Sequence, residues 1–550
     1  MIKTFDAEHT CIKDGSSKLL TGKVMAKMFL NDIRKDPEFR PKKMQDQVLD
    51  RYNLTVSHDI CRNGKSKALE MLEKEYDEQF SRLKDYKNEL LQCNKGSTVE
   101  LGTVIVDGGV ERFDRFYVCL EVLKRTWLQH CRPIIGIDGC FLKSCAKGQL
   151  LAAVGRDANN QFYPVAWAIV QVEDTDTWLW FIKLLQTDLK LNDGDGFTLI
   201  SDRQKGLLIA VDQLFPKVEH RMCARHIYGN LRSKFPGKSR IKPLFWAVAE
   251  SYNKADYDIA IEAVKRYDIA VFEAMMAKNP KNCSRAFFKT TSTCEDVHNN
   301  FSESYNSAIN KARSLPLVEM LETVRRQCMF RIDARKAKSI KHRGKYSLKV
   351  AEMIAEEEKE LKSCQLIPGA NGLFEVNEKC CSYALNLTAK KCKCRRWEMT
   401  GIPCRHALKA IHYKSLKAED YVSDWYLTSK WQAIYSDSIK PVNGMHFWRK
   451  SGAIRIQPPE KDITQGPTKK QKRIKEKHES PKKKKAKSKD METQVVVKAS
   501  RKNRTVHCGN CSLVGHNKRR CPTKSAPVQE MAESRTYSQG EGPSQPSQNS

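Results

Sequence analysis

The chain has 550 residues, and Lys+Arg 97 against Asp+Glu 65 leaves a formal charge of +32. At roughly 100 to 200 residues per domain that length suits about three or four folded units, and the cationic excess favours a polyanionic partner such as DNA or RNA. No stretch approaches the roughly 18 apolar residues that span a bilayer, and the start MIKTFDAEHTC lacks the pattern of a secretory signal, so a soluble intracellular protein with no membrane partner is expected.

In chain order, residues 17–100 are polar and Lys-rich but carry helical apolar spacing at Val24, Met28, Phe29 and Ile33, then at Met44, Val48 and Leu49. Pro41 suits a first helical turn, Asn53 to Val56 breaks the pattern, and Ser57 caps a further helix reaching about Leu72. The layout is that of a helix-turn-helix, with an ordinary helical hairpin as the alternative. Gly64-Lys65-Ser66 has the ending of a phosphate loop, but Asp59 stands where the first glycine is required, so no ATPase is expected.

Strands are expected at Ile134 to Asp138, Gln149 to Gly155 and Phe162 to Val170. A helix over Asp174 to Leu189 crosses to a strand at Phe197 to Asp202. Helix Gly206 to Phe215, strand Lys217 to Met222 and helix Cys223 to Phe235 follow, the alternation of an α/β sheet. Residues 236 to about 360 look mostly helical, and Phe374 to Leu387 offers a hairpin. Residues 468–502 hold 15 Lys/Arg against 4 Asp/Glu, with little apolar surface to bury, so a basic linker over 455–505 and the Ser/Gln-rich tail 524–550 are expected to be disordered.

Clustered cysteines among a total of 20 point to metal. Cys508, Cys511, His516 and Cys521 supply three thiolates and an imidazole at a spacing that wraps one tetrahedral Zn²⁺, over residues 506–523. Cys392, Cys394, Cys404 and His406 close a second such shell, over 374–413. No HExxH occurs, so both zincs are expected to be structural.

The third site is acidic. Asp138 and Asp202 end strands that would be parallel neighbours, so both carboxylates meet at one sheet edge, where a divalent ion such as Mg²⁺ could bind. Read alone, strand-end aspartates are often only caps or turn formers.

The segments Gly136-Ile137-Asp138-Gly139-Cys140-Phe141, Asn160-Gln161-Phe162-Tyr163-Pro164-Val165-Ala166-Trp167 and Ile200-Ser201-Asp202-Arg203-Gln204-Lys205-Gly206 together resemble the plant Mutator-like (MuDR) transposases. Cys392 to His406, with Trp397 and Gly401-Ile402-Pro403, resembles a SWIM-type zinc finger, and Cys508 to Cys521 a CCHC zinc knuckle. The resemblance implies an α/β, RNase H-like core over 130–330 with a mostly helical insertion and a DDE active site. Its acids would be Asp138, Asp202 and, in Asn299-Asn300-Phe301-Ser302-Glu303, Glu303 in preference to Glu250, Glu295 or Asp296. Cys223 and His226 match a family Cys/His element, read here as packing or DNA positioning. Residues 1–16 resemble the end of the family's N-terminal zinc-binding domain, with His9 and Cys11 lacking upstream partners.

Three functions follow as expectations. One is a nuclear transposase that cuts and joins DNA with Mg²⁺, another a domesticated, non-enzymatic transcriptional regulator, and the third a general RNA-binding knuckle protein. The expected partners are DNA, RNA or single strands through the knuckle, and a second copy of the chain. Pro481 to Lys487, after Lys469 to Lys475, resembles a nuclear localisation signal.

Overall fold

The computed structural model describes residues 15–459 apart from residues 16, 37, 107, 144–147 and 453. Residues 1–14, the basic run beyond 459, the expected knuckle at Cys508, Cys511, His516 and Cys521, and the tail lie outside the described residues.

Three helices come first among the described residues. Gly22–Lys35 starts on Thr21, whose hydroxyl accepts from Val24 N; Pro41–Tyr52 stops where Asn53 turns left-handed at φ 52; His58–Ser81 starts on Ser57. The last two are joined by the short turn 53–57, a layout that suits the helix-turn-helix and the helical hairpin alike. Met25, Phe29, Ile33, Met44, Val48, Cys61, Ala68 and Leu72 make their shared core. Gly64 lies inside the third helix, where an added methyl would come within 2.6 Å of Met25 Cβ. Its role is close helix packing. That helix outruns the expected end at Leu72 because Tyr76 and Phe80 continue the i, i+4 spacing into the main core.

The main sheet has seven strands: β1 (Thr98–Val106), β2 (Val110–Cys119), β3 (Ile134–Phe141), β4 (Gln149–Arg156), β5 (Phe162–Val170), β6 (Thr198–Ser201) and β7 (Glu219–Met222). Their order is β1-β2-β5-β4-β3-β6-β7. β3, β6 and β7 run parallel, and the remaining pairs are antiparallel. All eight residues of β4 are buried. A strand covered on both faces needs no polar alternation, which is why Leu150 to Val154 reads as one apolar run. The β5 to β6 crossover is the helix Thr175–Asp188, started by a reciprocal capping box between Asp174 and Thr177.

After β7 the chain enters a helical lobe with its own core around Ile227, Phe245, Val248, Val264 and Met275. It returns to the sheet as the helix Asn300–Ala308, which lies over β3, β4 and β5. The long helix Leu317–Lys341 then packs on the main core through Leu317, Leu321, Val324 and Cys328.

A smaller antiparallel sheet follows, made of β8 (Cys364–Pro368), β9 (Leu373–Glu378), β10 (Cys381–Asn386) and β11 (Lys391–Cys392) in the order β11-β10-β9-β8. Helices Arg396–Thr400 and Arg405–Tyr413 close it over Phe374, Val376, Leu385, Trp397 and Ile411. Arg395, left-handed at φ 62, docks this module on the helical lobe by donating to the carbonyls of Tyr252 (3.0 Å), Ala286 and Phe288 (2.7 Å). The architecture is mixed α/β. No helix among the described residues is long and apolar enough to cross a membrane.

Candidate functional site

The parallel register pairs Ile134 with Thr198, Ile135 with Leu199 and Gly136 with Ile200. Carried two residues on, that offset sets Asp138 beside Asp202. The Asp202 charge is accordingly among those that raise Asp138, and one expectation is corrected: Asp138 sits inside β3, because the antiparallel partner β4 extends the strand to Phe141. Asp202 follows the last residue of β6, and its Oδ1 accepts from Gln204 N at 3.1 Å.

Glu303 arrives from a distant part of the chain. Its helix presses on β3 at Gly136, where an added methyl would come within 2.6 Å of the Phe301 ring and closer still to Asn299 Oδ1 and Ser302 Oγ. Only glycine admits that approach. Asn299 Nδ2 donates to Ile137 O at 2.9 Å, and Asn306 Nδ2, one turn after Glu303, donates to Asp138 Oδ2 at 2.8 Å. Two of the three competing acids are engaged elsewhere: Asp296 pairs with Arg156, and Glu295 with Tyr252 and Arg285, while Glu250 is exposed at the end of the helix Ile241–Glu250.

The electrostatics report the convergence. Burial first, then the Asp202 and Glu303 carboxylates, push the half-buried Asp138 carboxyl up to about 7, against the pull of His226 and the Gly139 N–H. His226 is raised to about 9, first by its hydrogen bond to Cys223 and then by the charges of Cys223, Asp202 and Asp138. Cys223, His226 and Glu303 bring their potential ligand atoms within 4.8 Å of one another. Cys223 Sγ also accepts from Asn299 N at 3.3 Å, and Ala224 N donates to Val297 O at 2.8 Å. The point where the helical lobe leaves the sheet is thus joined to the point where it returns.

Asp202 and Glu303 add their negative charge to the Asp138 neighbourhood, and a hard oxygen set of this kind would suit Mg²⁺. Glu303 adds a further sign, since its Oε1 is buried without a hydrogen-bond partner while Oε2 pairs with Arg225. Sequence reasoning missed Arg225 and Asn306 as partners of the acids. Asn306 lies within the segment that carries Glu303, and its i+3 spacing was the available signal. A fourth carboxylate, Glu173, lies against Gly139, where an added methyl would sit 3.2 Å from its carboxyl carbon.

The second centre is Cys392, Cys394, Cys404 and His406, whose ligand atoms all lie within 4.8 Å of one another. β11 supplies Cys392, the following turn Cys394, and the start of the helix Arg405–Tyr413 supplies Cys404 and His406. His406 Nδ1 stands 3.5 Å from Cys392 Sγ. Tetrahedral bonds of about 2.3 Å to sulfur and 2.1 Å to nitrogen imply a sulfur–nitrogen separation of about 3.6 Å, so the group fits zinc. Burial, followed by the neighbouring thiols, pushes the Cys404 thiol up, while hydrogen bonds with Cys392 and Cys404 hold the Cys394 thiol well below its ordinary value.

Residues 134–230 match the family described as MULE transposase domain, and residues 372–415 match the SWIM zinc finger family. The first match contains β3 to β7 with Asp138 and Asp202, and the second contains the whole Cys/His group. No curated protein matches the chain. The two domains together support a Mutator-like, transposase-derived zinc-binding protein.

Proposed function

We propose that the protein is a nuclear, transposase-derived DNA-binding protein whose sheet is an RNase H-like catalytic unit, with Asp138, Asp202 and Glu303 as a DDE triad that cleaves DNA and transfers the strand. The observation that carries this reading is the meeting of three carboxylates from residues 138, 202 and 303 in one electrostatic neighbourhood, felt by Asp138 as a carboxyl raised to about 7. The three acids would hold Mg²⁺, which when bound would neutralise phosphate charge and activate the attacking water. The chain's own groups set the geometry: Asn306 orients Asp138, Gln204 N orients Asp202, and Arg225 holds one oxygen of Glu303.

The zinc finger is structural in this reading and is docked by Arg395. The basic run in 468–502 serves nuclear targeting and phosphate attraction, while the knuckle at Cys508, Cys511, His516 and Cys521 holds a second zinc and takes single-stranded DNA or RNA. A second copy of the chain is a further partner.

One observation favours the other class, a regulator that binds DNA without cutting it. Arg225 already sets a fixed positive charge on Glu303, where an ion would have to compete. The test is incubation of the full chain with Mg²⁺ and duplexes carrying candidate element ends. Catalysis predicts nicking by the wild type and none by Asp202→Ala. Equal binding by both proteins with no nicking by either would reject catalysis and leave the regulator.

A further inference from the structure

His406 belongs to two groups of potential metal ligands. Its Nδ1 faces the three cysteines described above, and its Nε2 faces a second group formed with Cys364 and Glu378. Glu378 ends β9 and pairs in register with Cys364 of β8. Such an arrangement could hold another metal, or it could hold the imidazole itself.

The donors around Glu378 decide between them. Its Oε1 accepts from Arg405 Nη1 at 3.0 Å and from Ser363 Oγ at 3.2 Å, and its Oε2 stands 3.0 Å from His406 Nε2. Three donors thus occupy the carboxylate, and the Arg405 guanidinium already supplies the positive charge a second ion would bring. The Tyr383 ring stacks on the imidazole at 4.3 Å and 22°, fixing its plane.

We infer that Glu378 is a positioning residue for the zinc finger: it accepts the Nε2 proton of His406 and so commits the imidazole to bind zinc through Nδ1. A ligating histidine has one nitrogen for the metal and one for an outer partner, and the partner sets both tautomer and ring orientation. Without Glu378, the ring could turn its other nitrogen to the cysteines or leave them. The inference rests on the reading of the four Cys/His ligands as a zinc site.

The test uses the full chain carrying Cys508→Ser, Cys511→Ser and Cys521→Ser, which removes the tail's cysteines, and reads zinc content and the rate of zinc release to a chromophoric chelator. Glu378→Ala should keep the zinc content but release it about 10 to 100 times faster, the usual cost of losing an outer-shell partner. Glu378→Gln, whose amide oxygen still accepts the proton, should fall between that variant and the parent. Cys364→Ala should release zinc at the parent rate. Equal rates for parent and Glu378→Ala would overturn the inference even if the zinc site is real. So would loss of one zinc in both Glu378→Ala and Cys364→Ala, since the pair would then be ligands of a separate ion. A parent chain with no zinc at all would instead remove the zinc reading itself. Should Glu378→Ala fail to fold, as read by far-UV circular dichroism, the Gln variant alone decides: release no faster than the parent would overturn the inference.

Discussion

Asn306 Nδ2 and Asp138 Oδ2 lie 2.8 Å apart, linking the helix that carries Glu303 to the strand that carries the first acid. The amide donates to the carboxylate and so favours its charged form against the burial and like charges that oppose it. Asn306→Ala removes that donor. The expected result is a Mg²⁺ affinity that falls and becomes measurable only at higher pH than in the wild type, read by calorimetric titration across pH. An unchanged pH profile would show the amide to be a packing group only.

Asp138 titrates near its ordinary 3.8 in an unfolded chain and at about 7 in the folded one. Between those values the folded state holds the extra proton, so the group's contribution to stability is full below pH 3.8, shrinks as pH rises and is gone above about 7. Asp138→Asn imitates the protonated acid at every pH. In EDTA, its stability advantage over the wild type should grow from about pH 4 to 7 and then level off, and added Mg²⁺ should stabilise the wild type alone. Urea unfolding across pH would expose a constant difference, which contradicts this origin of the shift.

Gly136→Ala should destabilise the protein by about 1 to 3 kcal/mol, because the added methyl meets Asn299, Phe301 and Ser302 and none can withdraw without moving the helix. Gly229, in the helix Ala224–Lys234, has nothing within 4 Å of an added methyl, so Gly229→Ala should be neutral or stabilising by up to about 1 kcal/mol. The denaturant midpoint should therefore fall for Gly136→Ala and stay level or rise for Gly229→Ala.

Zinc should hold the small sheet together. Its core is a dozen buried residues, and a structural zinc contributes on the order of 10 kcal/mol to modules of this size. Cys404→Ser should lose one zinc per chain and open residues 364–413 to protease, while the seven-stranded sheet stays resistant. Cleavage sites mapped by mass spectrometry report both outcomes.

The central strands and both aspartates were legible because apolar runs, turn residues and the crossover helix are local patterns. Glu303 was found by resemblance, since no periodicity links residue 303 to residue 138. The hairpin of β1 and β2 escaped notice. Its strands place Glu100, Glu111, Arg112, Asp114 and Arg115 among the apolar residues, and most positions are only half-buried, so the alternation is blurred. Gly108 and Gly109 were the available turn signal. Arg225 and Glu378 were illegible as partners for a different reason: each acts on a side chain brought to it by tertiary packing, whereas Asn306 was marked only by its spacing from Glu303.

The clasp of Ala224 with Val297 and of Cys223 with Asn299 has a consequence for how such a chain can diverge. Everything between these pairs is a detour that begins and finishes at the same spot on the sheet. Closing a longer detour costs only a slowly growing entropy. A change in the length of this segment would therefore leave the spacing between the second acid and the third, in space though not in sequence, fixed.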